Sequence, residues 1–168
     1  MKIQNLKFGE AVKHLAQLAG MQPYMFSKQD EEREKKWKEY QSIFSQYVDF
    51  YHNELLKNES YSVARDYLKN RSITKEEVKK FKIGYIQKNP NFYEKLKDNY
   101  SEQTLAETGL FYLDEKKKIY VERFRGRLIF PINNISGQPI ALGGRIIENL
   151  DYLATVSYTH LTLPTKQD

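Results

Sequence analysis

Three arginines alternate along one short segment of this chain: Arg123, Arg125 and Arg127. Each guanidinium group presents a planar fork of donors that fits the oxygens of a phosphate or a carboxylate. If the segment is an extended strand, its period of two places all three side chains on one face and Phe124 on the other. Three cations on one face repel one another unless anions lie between them. The spacing therefore predicts a surface that binds anionic groups.

Two kinds of anion could occupy such a surface. Residues 121–145 contain four arginines and a single acid, Glu122, which favours an external polyanion held by its phosphates. Alternatively, the arginines pair with acids on neighbouring helices, such as Glu102, Glu107 or Asp114. The pattern alone leaves both possibilities open.

Two further places could bind phosphate. Gly143 and Gly144 precede Arg145 at the end of a predicted strand, where glycines allow a close backbone approach and the arginine could cover a phosphate. A tight bend or bulge is the alternative reading of the two glycines. Arg71 ends a predicted helix, where a cation also complements the helix dipole.

Composition limits the chemistry that the chain can do. The 168 residues include no cysteine, so disulfides and thiolate zinc sites are excluded, and His14, His52 and His160 are too scattered to predict a metal site. The formal charge of +5 permits a polyanionic partner. No apolar run approaches the roughly 20 residues that a membrane span needs. We predict a cytoplasmic protein with no membrane partner, and no catalytic or metal-binding residue in this chain.

The elements that must position these residues predict an α+β fold. A short amphipathic helix ends at Gly20, and Pro23 follows it. A long charged helix covers roughly Lys28 to Lys57, and its opening from Gln29 to Glu39 is predicted to be a solvated connector. Its later part carries an apolar stripe, predicted to be a core face, of Tyr40, Phe44, Tyr47, Tyr51 and Leu55.

From Tyr61 onward, short helices give way to strands. Thr74 and Glu77 predict a capping box, Pro90 and Ser101 open two more helices, and Gly109 stops the second. The period then changes to two, and the predicted antiparallel strands are 111–113, 119–121, 127–132 and 139–142. The last two strands flank turn-type residues, and the apolar run after Arg127 predicts burial on both faces of its strand.

Five strings in order resemble the bacterial replicative DNA primase family of the DnaG type. They are Ala64-Arg-Asp-Tyr-Leu-Lys-Asn-Arg-Ser-Ile, Val78-Lys-Lys-Phe-Lys-Ile-Gly-Tyr, Glu107-Thr-Gly-Leu, Arg123-Phe-Arg-Gly-Arg-Leu-Ile-Phe-Pro-Ile and Gly137-Gln-Pro-Ile-Ala-Leu-Gly-Gly-Arg. The resemblance implies four segments: the last helix of a zinc-binding domain (1–27), a helical linker (28–60), the N-terminal subdomain of the RNA-polymerase domain (61–155) and a tail (156–168). That tail resembles translated sequencing-adapter read-through and is expected to be artefactual.

The same resemblance implies the function. Such an enzyme is a nucleotidyltransferase that makes short RNA primers on single-stranded DNA from ribonucleoside triphosphates, and it meets the replicative helicase through a C-terminal domain absent here. It uses structural zinc and catalytic magnesium or manganese, whose ligands have no counterpart in this chain, so the fragment is expected to be inactive alone. Arg71 and Arg145 match family positions implicated in template or nucleotide contact, whereas the other candidates depend on the residue patterns described above. The residues expected to bind template or nucleotide phosphates are Arg71, Arg123, Arg125, Arg127, Gly143, Gly144 and Arg145. The alternative function is a non-catalytic basic helical adaptor or nucleic-acid-binding module.

Overall fold

The computed structural model describes residues 8–22 and 27–147, together with the backbone of residues 156–160. The chain divides into two compact units, Met1–Lys36 and Trp37–Asp168. The segment boundaries expected at residues 27, 60 and 155 stay predictions, and most of the tail expected to be artefactual lies outside the described residues.

The first unit contains helix α1, Phe8–Leu18, and the opening of helix α2, Lys28–Lys57. α1 ends as predicted, with Gly20 in the left-handed region at φ 66°. Ser27 begins α2, because its hydroxyl accepts from the N–H of Asp30 at 3.2 Å while the Asp30 carboxylate accepts from the N–H of Ser27 at 2.9 Å. Pro23, predicted to break the chain between these helices, lies outside the described residues.

The second half of α2 is the central element of the second unit. The predicted apolar stripe is confirmed as a core face, since all of its members are buried, together with Ile43 and Val48. Large aromatic side chains three or four residues apart share one side of the helix, and their burial stabilises it far more than intrinsic propensity does.

Short helices follow α2, and two of the α-helices begin at a side-chain cap that the sequence predicts. The predicted capping box is confirmed, because the Thr74 hydroxyl accepts from the N–H of Glu77 and the Glu77 carboxylate accepts from the N–H of Thr74. Ser101 also caps its helix as predicted, accepting from the N–H of Thr104 at 3.1 Å. The elements are a 3-10 turn, Glu59–Tyr61, and helices α3, Ser62–Asn70, α4, Lys75–Lys80, α5, Phe92–Leu96, and α6, Glu102–Glu107.

The strands form two antiparallel sheets, so the predicted α+β class is confirmed. Strands β2, Phe111–Asp114, and β3, Ile119–Glu122, make a two-stranded sheet. The four-stranded sheet has the order β1-β4-β5-β6, built from β1, Gly84–Ile86, β4, Arg127–Asn133, β5, Pro139–Ile146, and β6, Val156–His160.

Strand β1 was not predicted from the sequence, because three residues are too few to show a period. It pairs with β4 and lies directly on α2, where a Cβ on Gly84 would stand 2.9 Å from the carbonyl carbon of Tyr51. Glycine therefore sets the distance between this strand and the helix.

Both faces of the first half of β4 are covered by packed side chains. Ile129 belongs to a cluster with Tyr47, Tyr51 and Phe124, whereas its neighbour Leu128 belongs to a second cluster built on helices α3 and α4. The prediction of burial on both sides is confirmed for this half, but Ile132 near the end of the strand is 45% exposed.

Candidate functional site

The arginine segment is a turn between two sheets, and the prediction of one continuous strand was wrong. β3 ends at Glu122 and β4 begins at Arg127, so residues 123–126 form the connection. Gly126 adopts φ 71°, a left-handed conformation that an extended strand excludes. Its N–H donates to the carbonyl of Ile86 at 2.8 Å, which fastens the turn to β1.

Arg127 supports this turn from below and does not face solvent. Its side chain is 3% exposed, and Nη1 donates to the carbonyl oxygens of Arg123 at 3.1 Å and Arg125 at 3.2 Å. Burial, followed by the nearby positive charge of Arg125, lowers the pKa of the guanidinium group. Arg127 thus holds the backbone that carries the other two arginines, and its assignment to phosphate binding stays a prediction.

Arg123 and Arg125 converge on one aromatic ring. Their guanidinium carbons lie 5.6 Å and 5.9 Å from the ring centroid of Tyr112 in β2, within the range of cation–π attraction. Arg123 Nε also donates to the carbonyl of Gly109 at 2.8 Å, which orients the exposed fork. We call Tyr112, Arg123 and Arg125 the arginine–tyrosine platform.

The sequence reasoning missed Tyr112, although its place in a predicted strand beside the arginine segment was a usable signal. An aromatic ring beside two arginines is a common base-stacking arrangement in proteins that bind single strands. Of the alternative partners, Glu107 accepts from the hydroxyl of Tyr40, and Asp114 accepts from two backbone N–H groups of its own turn. Within the described part of the chain, Arg123 forms no ion pair with a carboxylate.

A buried carboxyl group anchors the other end of the turn. Glu122 is 2% exposed and accepts hydrogen bonds from the Tyr51 hydroxyl at 2.5 Å and from the N–H of Phe92 at 2.8 Å. Burial raises the pKa of Glu122, although these two hydrogen bonds oppose the change. The platform is thus held between a buried acid on one side and the buried Arg127 on the other.

The glycines before Arg145 serve packing as well as any ligand. A Cβ on Gly144 would stand 2.6 Å from the ring of Phe124 and 2.9 Å from Cδ of Arg127, so this glycine makes room for the side chains beneath the platform. The interpretation of Gly144 as a place of close ligand approach stays a prediction. Gly143, half-buried, pairs with Phe130 in the ladder.

The predicted phosphate-binding residues do not share one face. Arg145 is exposed and lies opposite Leu128 in the β4–β5 ladder, so it projects from the face that Arg127 does not occupy. Arg71 is exposed at the end of α3, where its guanidinium carbon lies 5.5 Å from the ring centroid of Tyr67. The structure thus brings Arg123 and Arg125 together and places Arg71 and Arg145 on other elements.

Among the described residues, no group of three His, Cys, Asp or Glu side chains is placed to hold a metal ion. The donor set therefore does not fit the metals that the resemblance implies, and no chemical step is assigned to a metal here. No helix in the described part of the chain is both long and apolar enough to cross a membrane.

The described residues thus form an α+β domain in which an antiparallel sheet packs on a long helix and a basic turn lies beside a half-buried tyrosine. Residues 50–158 match the family model "DNA primase catalytic core, N-terminal domain". The chain belongs to this family.

Individual relatives agree with that assignment. The chain is 31% identical over 153 residues to a DNA primase of Geobacillus stearothermophilus, covering 88% of this chain and 26% of that protein. The fold resembles the zinc-binding and RNA-polymerase domains of Aquifex aeolicus primase, with a TM-score of 0.62, 26% identity, and coverage of 92% of this chain and 36% of that one. It also resembles a DnaG primase catalytic domain solved with single-stranded DNA, with a TM-score of 0.66, 23% identity, and coverage of 79% and 41%. The chain spans about a quarter of the length of the curated relatives it matches.

Proposed function

We propose that this chain is part of a DNA primase, a nucleotidyltransferase that synthesises short RNA primers on single-stranded DNA. Within that enzyme, the described domain holds the template strand and the phosphates of ribonucleoside triphosphates. Membership of the primase catalytic-core family supports the enzyme class, and the solved DnaG catalytic domain with single-stranded DNA supports the ligand.

The arginine–tyrosine platform is the observation that carries the proposal. Two guanidinium groups supply phosphate contacts, and an aromatic ring between them supplies a surface on which a base can stack. Arginine planes also stack on bases, so the three side chains together suit a single strand better than a duplex. The buried Arg127 and Glu122 hold the turn in place, which lowers the entropy cost of binding.

Arg145 and Arg71 would contribute separate contacts. Because they lie on other elements than the platform, they would meet a different part of the strand or an incoming nucleotide. The described residues offer no metal-binding cluster, so the proposal places zinc and magnesium or manganese chemistry, and the contact with the replicative helicase, outside them. It follows that the described domain binds and positions but does not join nucleotides by itself.

Salt-dependent binding tests this proposal. Fluorescence anisotropy with a labelled single-stranded oligonucleotide, over a series of salt concentrations, should show that Arg123→Ala and Arg125→Ala each weaken binding. Each lost phosphate contact should reduce the slope of log K against log salt by about 0.7. Lys80→Ala, an exposed cation on α4, is the control and should leave the slope unchanged.

The same measurements discriminate the adaptor alternative. An adaptor whose arginines serve only the fold would lose stability when Arg125 is changed to Glu and would keep whatever oligonucleotide affinity it had. Identical salt slopes for the wild-type chain and an Arg123→Ala, Arg125→Ala double variant would remove the platform from the proposal.

A further inference from the structure

A groove lies apart from the platform, on the side of the second cluster. It has a volume of about 790 Å³ and runs between the end of α2, helix α3 and helix α4. Its floor is apolar and consists of Leu55, Leu68, Ile73 and Val78, and the half-exposed Leu56 stands at its rim. A pocket of this size and lining can take one or two large apolar side chains of a ligand.

The walls of the groove are fixed by hydrogen bonds. Arg65 donates through Nη1 to the carbonyl oxygens of Leu55 at 2.8 Å and Asn58 at 2.7 Å, and through Nη2 to that of Glu59 at 3.1 Å. One guanidinium group thereby joins the last turn of α2 to the 3-10 turn that follows it. On the opposite wall, the capping box that begins at Thr74 holds the first turn of α4. A ligand would meet a surface that is already formed.

The rim is strongly basic. Five cationic residues and two acidic ones line the groove, a formal excess of three positive charges. Four of the cations are exposed lysines whose ammonium groups reach solvent, while their methylene chains extend the apolar wall. The lining residues with charge are Lys57, Glu59, Arg65, Asp66, Lys69, Lys75 and Lys79.

We propose that this groove binds an acidic peptide segment of a partner protein, which inserts one or two large apolar side chains between its carboxylates. The apolar floor is complementary to a ligand that buries hydrophobic groups there. The lysine rim is complementary to negative charges around those groups. A nucleic acid strand satisfies the rim but leaves the floor uncovered, and it meets the carboxylates of Glu59 and Asp66. The concave shape suits an inserted side chain better than a flat lipid surface.

A labelled synthetic peptide tests the proposal directly. The probe is a ten-residue peptide of Asp and Glu with a Leu-Phe pair at its centre, and its control replaces that pair with two serines. Anisotropy with the full chain should show saturable binding of the first peptide and at least about tenfold weaker binding of the second, as expected for loss of a buried anchor. Equal binding of both peptides, or none of either, would overturn the proposal.

Variants locate the site. Lys79→Glu should lower the affinity for the peptide by roughly tenfold. Lys80→Glu, one residue further along the same helix and outside the groove, should have little effect on that affinity. Leu56→Ser should weaken peptide binding, whereas Val63→Ser should not, because Val63 is an exposed apolar residue on α3 that does not line the groove. All four positions are exposed, so the variants should fold, and urea unfolding confirms this.

Competition separates this groove from the nucleic-acid surface. Addition of a single-stranded oligonucleotide should leave peptide binding intact, and Arg123→Ala should not change it. Displacement of the peptide by the oligonucleotide, with matching effects of Lys79→Glu on both ligands, would reassign the groove to nucleic acid and end the proposal.

Discussion

The carboxyl group of Glu122 accepts a 2.5 Å hydrogen bond from the hydroxyl of Tyr51, and both groups are buried. This contact joins α2 to the last residue of β3, immediately before the turn that carries the platform. Burial raises the pKa of both partners, so each favours its protonated form in the folded protein. The stability of the core next to the proposed binding surface therefore depends on the protonation state of Glu122.

Glu122→Gln should change how stability depends on pH. Because burial raises the pKa of Glu122, its contribution to stability is fully present below the unfolded value of about 4.3 and is lost as the pH rises through the higher folded value. The glutamine variant lacks this titration but keeps an acceptor oxygen. Urea unfolding from pH 4 to 8 should show the wild-type chain losing stability relative to the variant as the pH rises. A pH-independent difference would contradict this.

Tyr51→Phe should move the same pH window upward. The tyrosine hydroxyl stabilises the ionised form of Glu122, so its removal raises the pKa of the carboxyl group further. Loss of the hydrogen bond should also cost about 1–3 kcal/mol of unfolding free energy, since one buried oxygen loses a donor. Tyr100→Phe, in which a hydroxyl with exposed partners is removed, is the control. An unchanged pH profile of the Tyr51 variant would argue against the proposed coupling.

Arg127→Leu and Arg123→Ala should separate stability from binding. The first removes the donors to two carbonyl oxygens of the turn and should lower the free energy of unfolding by about 1–3 kcal/mol, with oligonucleotide affinity falling as the turn loosens. The second removes an exposed side chain and should weaken binding while stability changes by less than about 1 kcal/mol. Chemical unfolding and anisotropy on the same samples would show whether the two effects divide in this way.

Tyr112 should act through its ring. Tyr112→Phe keeps the aromatic face beside both guanidinium groups and should bind single-stranded DNA nearly as well as the wild-type chain. Tyr112→Ala should lose about 1–3 kcal/mol of binding free energy, the usual contribution of one stacked base. If the phenylalanine variant binds as poorly as the alanine variant, the hydroxyl and not the ring is the important group.

Gly144→Ala should disturb the packing below the platform. Its new methyl group would stand 2.6 Å from the ring of Phe124, and this overpacking should cost about 1–3 kcal/mol of stability. Gly137→Ala meets no atom within 4 Å and should cost about 1–2 kcal/mol through its left-handed φ alone. Only the Gly144 variant should also weaken oligonucleotide binding. Equal binding losses in the two variants would show that the packing under Phe124 does not position the arginines.

The sequence predicted those parts of the fold that local patterns determine. The stripe from Tyr40 to Leu55, the capping box at Thr74 and four of the strands depend on spacing and on short-range hydrogen bonds, and all of them are confirmed. β1 was missed because its position depends on pairing with β4, about forty residues later in the chain. The spacing of apolar residues within a short segment cannot predict a contact between residues so far apart in the sequence.

The sequence named the arginines of the candidate site but did not predict how they are arranged. Alternation of Arg123, Arg125 and Arg127 is compatible with a strand, and only the left-handed Gly126 with its bond to Ile86 shows that the chain turns there. That turn separates the exposed Arg123 and the half-buried Arg125 from Arg127, which is buried. Tyr112 lies in a predicted strand, but only the pairing of Phe111 with Glu122 shows that this strand begins beside the turn. Without that pairing, an aromatic residue in a strand is far more often part of a core.

The bond between Gly126 and Ile86, and the packing of Phe124 over Gly144, also constrain when the platform can form. Helices α3 and α4 pack on the end of α2 through contacts closer in sequence and can fold earlier during synthesis. The turn has no complete set of partners until residue 144 has left the ribosome, because β4 must lie between β1 and β5. A nascent chain would therefore order these helices before the platform could form.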